Sequence, residues 1–147
     1  MGRQRHEVIG VTMVITAAPA IANCATMSGA ENTEAGRSQA DEGAKLYGQH
    51  CASCHGDAGQ GTKDAPPVVG KNALPLDPPA TAKVRTTQFH TAQDVAQFVA
   101  ANMPAKAPGS LTTDQYYDIL AFDLKANGID VSKKKIDPMT AAEIKLH

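Results

Sequence analysis

Cys51, Cys54 and His55 are the residues of this chain whose types and spacing can do distinctive chemistry, in the run Cys51-Ala52-Ser53-Cys54-His55. Two thiols three apart can add across the two vinyl groups of a porphyrin, making thioethers along one edge of the ring. A histidine directly after the second thiol completes the pattern for covalent attachment of a c-type haem. If the segment is helical, His55 lies one and four residues beyond the cysteines and can offer an imidazole nitrogen to the iron from the same side. Two other readings weigh less. A thioredoxin-like redox pair expects strands alternating with helices, and the chain carries little strand signal. A zinc site lacks its second CxxC or HxxxH, and Cys24 stands 27 residues before Cys51 in a poor context.

The elements around the motif must come from one domain's worth of chain, 147 residues. Trp is absent and only three Phe and three Tyr are present, a thin aromatic supply that a buried porphyrin would supplement. The formal charge of −1 and the lack of a Lys/Arg cluster interleaved with aromatics argue against nucleic acid as a partner. Lys133, Lys134 and Lys135 read as a solvated stretch.

Residues 1–22 read as an export signal. Arg3 and Arg5 make a positive start, Val8 to Ala18 is an apolar run too short to span a bilayer comfortably, and Ala20-Ile21-Ala22 offers a cleavage site. Ile21-Ala22-Asn23-Cys24 partly resembles a lipoprotein cleavage box, although Asn23 fits poorly. A membrane is therefore expected as a partner only if Cys24 is lipidated. Residues 23–37, rich in small and polar types, are expected to be a disordered leader.

The first helix is expected over Gln39–His50, capped by Ser38, with Gly43 inside it at a cost of about 1 kcal/mol against Ala. Close approach of another helix would compensate. Gly56, Gly59 and Gly61 read as turns that let backbone pass near a flat cofactor. Leu74 to Arg85, with three prolines, reads as a loop. Thr91 caps a helix over 92–101 with Asp94 as its capping-box partner, and Pro104 stops it just past Met103. Thr112 and Gln115 open the last large helix, whose apolar stripe holds Tyr116, Ile119, Leu120 and Leu124 and which Gly128 ends. Asp123 interrupts the apolar positions and is expected to face water. Residues 129–147 form an extension in which Thr140-x-x-Glu143 should start a short helix that packs Ile144 and Leu146 on the domain.

Tyr47, the Cys51–Gly56 run, Gly59-x-Gly61, Pro66, Gly70 and the Met103-Pro104 pair together resemble the class I c-type cytochromes. The match spans 38–128, and its specific parts are the haem motif, Pro66 and Met103. The resemblance implies an all-α cytochrome c fold, three main helices wrapped around one haem c joined to Cys51 and Cys54. It implies His55 and Met103 as iron ligands and the Pro66 carbonyl as acceptor for the His55 N–H. It also implies that Gly43 and Tyr47 meet Ile119 and Phe122 where the first and last helices cross. His50, His90 and His147 are the rival ligands, none at the matching position, and Met103 could otherwise be a core filler.

The function implied is one-electron transfer in the periplasm rather than enzyme catalysis. Partners would be redox proteins: a dehydrogenase as donor, an oxidase or another cytochrome as acceptor. Between residues 38 and 128, seven Lys/Arg stand against nine Asp/Glu, a net of −2, so a strongly basic docking face is absent. Two alternatives follow: a cytochrome subunit of a larger dehydrogenase or oxidase, or a haem peroxidase or gas sensor should Met103 not stay on the iron. The 129–147 extension and the Pro108-Gly109-Ser110-Leu111 stretch resemble cytochrome domains associated with quinoprotein dehydrogenases.

Overall fold

The computed structural model describes Gly2 and residues 28–147, with side chains from residue 38 onward. The export signal and Cys24 lie outside the described residues, apart from Gly2. Five helices follow in order: α1 (Ser28–His50), α2 (Ala52–His55), α3 (Ala92–Asn102), α4 (Thr113–Ala126) and α5 (Pro138–Ala141). No strand occurs among the described residues; a lone antiparallel bridge joins Thr91 to Lys145. The all-α class expected from the sequence is the one observed, with α1, α3 and α4 as the main helices.

The start of α1 corrects the sequence reading. The helix begins at Ser28, ten residues ahead of the expected first capped position at Ser38. Ala30, Glu31, Glu34, Ala35 and Arg37 are good helix formers, and once α1 is nucleated by packing further along, each added residue gains a hydrogen bond without a new nucleus.

The two large helices cross where Gly43 allows it. A Cβ at Gly43 would lie 1.8 Å from the Asp118 carbonyl oxygen and 3.0 Å from the Ile119 nitrogen, so α4 rests on the bare backbone of α1. Beside this point Tyr47 packs on Phe122 with ring centroids 5.0 Å apart and planes tilted by 42°, and Ile119 is buried next to them. The crossing residues are those the resemblance implied.

Both expected capping boxes are present. Thr91 and Asp94 satisfy each other's backbone N–H at the start of α3, and Thr112 and Gln115 do so at α4. The short helix of the extension differs from expectation. It opens at Pro138, not Thr140, because Asp137 caps it and Thr140 serves as the reciprocal third residue. Asp137 accepts from the Met139 and Thr140 N–H groups, and proline suits a first turn that lacks an N–H partner.

The extension belongs to the main core. Val131, Ile136 and Ala141 are buried among Ala92, Val95, Tyr117, Leu120 and Leu124, with Ile144 and Leu146 against the same cluster as expected. Gln39, itself buried, pairs reciprocally with the Ile136 backbone at 2.8 and 2.7 Å. The Ile144 carbonyl accepts from Ala92 N–H, the first amide of α3, which has no partner within its own helix.

The Leu74–Arg85 segment is a loop, as expected, but an ordered one. Arg85 is buried and sends its guanidinium to the carbonyls of Pro75, Leu76 and Thr87, while stacking 3.4 Å over the Phe89 ring. Spare carbonyls of a proline-rich loop thus find donors on one planar group.

Candidate haem site

Residues 51–70 fold into one hydrogen-bonded unit. After α1, the Cys51 carbonyl accepts from the Cys54 and His55 N–H groups, giving the single turn of α2 that sets both thiols and the imidazole on one short helix. Thr62 Oγ1 donates to the Cys54 carbonyl at 2.6 Å, and Tyr47, from α1, donates its hydroxyl to the Gly56 carbonyl at 2.9 Å. Gly61 sits at φ +81°, and a Cβ there would come within 2.7 Å of the Pro67 nitrogen. That glycine lets the chain fold back onto its own Pro66-Pro67 segment; the close approach it permits is to protein backbone.

The fold-back brings Pro66 to His55. His55 Nδ1 lies 2.8 Å from the Pro66 carbonyl oxygen. A carbonyl can only accept, so the hydrogen is on Nδ1 and the lone pair is left on Nε2, the tautomer a metal ligand needs. The pairing implied by the resemblance is present in the geometry.

Cys51 is half-buried and Cys54 exposed, both as free thiols. Burial, then the nearby Asp123 and Cys54, push the Cys51 thiol up to about 11. Thiols of redox pairs and metal sites have lowered values, because the thiolate is their reactive form. Among the described residues no cluster of three or more His, Cys, Asp and Glu could hold a bare metal ion. The raised thiol weighs against the redox-pair reading, and the missing ligand cluster against the zinc reading.

Met103 is placed by other elements. It caps α3 in an extended conformation, its N–H donating to the Val99 carbonyl at 2.8 Å. Its own carbonyl accepts from the Tyr116 hydroxyl of α4 at 2.7 Å. Both backbone groups are held, and the half-buried side chain projects from a fixed point. Cys51, Cys54, His55 and Pro66 are therefore one linked group, and Met103 joins the frame through α3 and α4. Of the rival histidines, His90 is engaged with the Gln88 side chain and His147 with the Leu74 carbonyl, while His50 is the last residue of α1.

The site fits a haem. It offers two thiols and an imidazole with its Nε2 lone pair available, and Cys51 packs against the apolar cluster of Leu46, Tyr47, Ala52 and Ile119. The family described as cytochrome c oxidase, cbb3-type, subunit III, matches residues 38–122. The chain belongs to this family of class I c-type cytochromes. Among curated proteins none matches this cytochrome. Among solved structures it is similar to the sulfane dehydrogenase SoxCD from Paracoccus pantotrophus, at 26% identity and a TM-score of 0.56, over 73% of this chain. The cytochrome spans about half, 52%, of the length of that chain. It is an electron-transfer haem protein.

Two residues of the site escaped the sequence reading. Asn127 ends α4, and its amide ties the Pro66 loop down: Oδ1 accepts from Gly70 N–H at 3.0 Å, and Nδ2 donates to the Val68 carbonyl at 2.8 Å. The sequence signal was present, since asparagine is common at helix ends, but its partners lie 57 and 59 residues away. Asn127→Leu is expected to cost about 1–2 kcal/mol, the net worth of two hydrogen bonds at a partly exposed site, and to speed hydrogen exchange at Gly70. Denaturant titration with amide exchange checks it; unchanged exchange at Gly70 contradicts the tie.

Asp123 is the second, and here the structure corrects the expectation that it faces water. It is 6% exposed, and its Oδ1 has no hydrogen-bond partner. It follows Ile119 by four residues and Leu120 by three, so the helix carries it onto the buried stripe. Burial pushes its carboxyl up to about 8. The folded chain then holds a proton that the unfolded chain releases near its ordinary value of 3.8. Stability contributed below that value is lost as pH rises to about 8. Asp123→Asn is expected to flatten this decline, measured as urea midpoints at acid and alkaline pH.

Proposed function

We propose that this cytochrome is a periplasmic carrier of one electron at a time, with one haem c held by thioethers at Cys51 and Cys54 and ligated by His55 and Met103. A haem there supplies one-electron chemistry between ferric and ferrous iron. Cys51 and Cys54 fix the ring edge, with Cys54 at the protein surface. His55 supplies Nε2, and the Pro66 carbonyl fixes its tautomer and raises its basicity. Met103 supplies an uncharged, soft thioether that suits both oxidation states and favours a higher potential than a second imidazole. Were His55 and Met103 both to hold the iron, the protein would leave it no place for a substrate, which favours a carrier over a peroxidase or gas sensor.

The observation that carries this reading is the 2.8 Å contact of His55 Nδ1 with the Pro66 carbonyl, which leaves Nε2 as the free ligand atom beside two thiols. Arg3, Arg5, the apolar run from Val8 to Ala18 and Ala20-Ile21-Ala22 support export; a lipid on Cys24 would add a membrane anchor. Among the described residues no helix is long and apolar enough to cross a membrane. A dehydrogenase as donor and an oxidase or second cytochrome as acceptor are the partner classes. The likeness to SoxCD, over half of that chain, favours a second reading in which this cytochrome works as a subunit or partner of a dehydrogenase.

The test is optical. The ferrous holoprotein is expected to keep its spectrum under CO. A ready shift under CO would point to an open iron and the peroxidase or sensor reading.

A further inference from the structure

Among the described residues, Asp123 is the acidic side chain that the fold buries, and its Oδ1 is the buried side-chain polar atom left without a partner. Its surroundings are specific. On the facing elements stand Tyr47 of α1 and Cys51 at the junction of α1 and α2, and the Asp123 charge raises the values of both. Tyr47 gives its hydroxyl to the Gly56 carbonyl, so it does not serve the carboxyl, and Asp57 acts on Tyr47 from the motif side. Lys125, the cation two residues on along α4, is committed to Asp41 at 2.9 Å on the surface. On the loop tied to the end of α4, Val68 is apolar and Lys71 is exposed. Among the described residues no basic side chain contributes to the state of the carboxyl, which burial dominates.

A buried group of this kind, beside the cysteine that holds the haem edge, senses the charge on the iron with little screening by water. Its own balance between acid and carboxylate lies near neutral pH, at about 8. A ferric centre carries one more positive charge than a ferrous one and favours the carboxylate; loss of that charge favours the acid.

We infer that Asp123 is the proton partner of the haem electron: between the values of its carboxyl in the ferric and ferrous states, reduction draws a proton from solvent onto it and oxidation returns that proton. The step balances: the electron comes from the redox donor and converts ferric to ferrous iron, while the carboxylate and one solvent proton form the carboxylic acid. The inference rests on Cys51 as a haem attachment point. Between the two values of the carboxyl in the ferric and ferrous states, the reduction equilibrium should weaken tenfold per pH unit, about 59 mV for one electron. Outside that window Asp123 adds no slope.

The test is a potentiometric titration of the holoprotein from about pH 5 to about pH 10, on the natural chain, Asp123→Asn and Asp123→Leu. The natural protein should show a falling segment, and both variants should be flat across it. Infrared difference spectra of the natural protein should gain a protonated carboxyl band on reduction, a readout that needs no variant to fold. A flat natural profile, a slope retained in Asp123→Asn, or no carboxyl band on reduction overturns the inference. Optical spectra of the same samples separate the two failures. Absence of covalently held haem sinks the proposed function, whereas covalent haem with a pH-independent potential sinks only the role of Asp123.

Discussion

Gly43→Ala is expected to destabilise this cytochrome by about 3 kcal/mol or more, the upper end of the cost of overpacking, and Gly43→Val by more still. The added Cβ would stand 1.8 Å from the Asp118 oxygen and 2.4 Å from its carbonyl carbon, both backbone atoms that, unlike a side-chain end, cannot rotate out of the way. Ordinary contact begins near 3.4 Å, so α1 and α4 would have to part by 3.4 − 1.8 = 1.6 Å. The packing of Tyr47 on Phe122 and the burial of Ile119 would loosen together. Helix propensity works in the opposite direction, since Ala in a helix interior is better than Gly by about 1 kcal/mol. Gly48, in the same helix, isolates that gain: a Cβ there would meet nothing within 4 Å. Gly48→Ala should therefore raise the urea midpoint while Gly43→Ala lowers it. A rise at both positions would contradict the crossing.

Met103→Ala is expected to abolish the ferric sulfur-to-iron charge-transfer absorption, lower the reduction potential and open the ferrous iron to CO. The backbone at Met103 is fixed on both sides, by the Val99 carbonyl and the Tyr116 hydroxyl, so removing the side chain should leave the chain where it is. Neither His90 nor His147 is free to replace the sulfur without giving up a hydrogen bond. Loss of the thioether removes the ligand that favours the ferrous state, which sets the sign of the potential change. Tyr116→Phe keeps the sulfur but frees the Met103 carbonyl, and should weaken the charge-transfer band without erasing it. A Met103→Ala protein that keeps the band would remove Met103 from the iron.

What could be read from the sequence was local or carried by a specific motif. The two capping boxes, at Thr91/Asp94 and Thr112/Gln115, are three-residue patterns and appear as expected. The motif at 51–55 and the placement of Pro66 were legible because residue type, spacing and family resemblance all pointed one way. The residues that were missed make their contacts at long range. Gln39 meets Ile136 across 97 residues, and Asn127 meets Gly70 across 57. Polar side chains of this kind look like surface residues until the fold supplies their partners. Asp123 differs: its spacing from Ile119 and Leu120 already placed it on the buried stripe, and its charge argued against that position. Periodicity was the better guide, because an aspartate that can hold its proton loses most of the penalty of burial.

The reciprocal pairing of Gln39 with Ile136 bears on the order of events during maturation. A buried amide on α1 stays unpaired, and Val131, Ile136 and Ala141 stay outside the core, until the segment after Gly128 has been made and has docked. The first amide of α3 likewise waits for the Ile144 carbonyl. Contacts this distant in sequence form slowly compared with a single helical turn. Until then Cys51 and Cys54 lie in a chain whose core is still open. Docking of 129–147 then closes the core through Ile136 and Ala141.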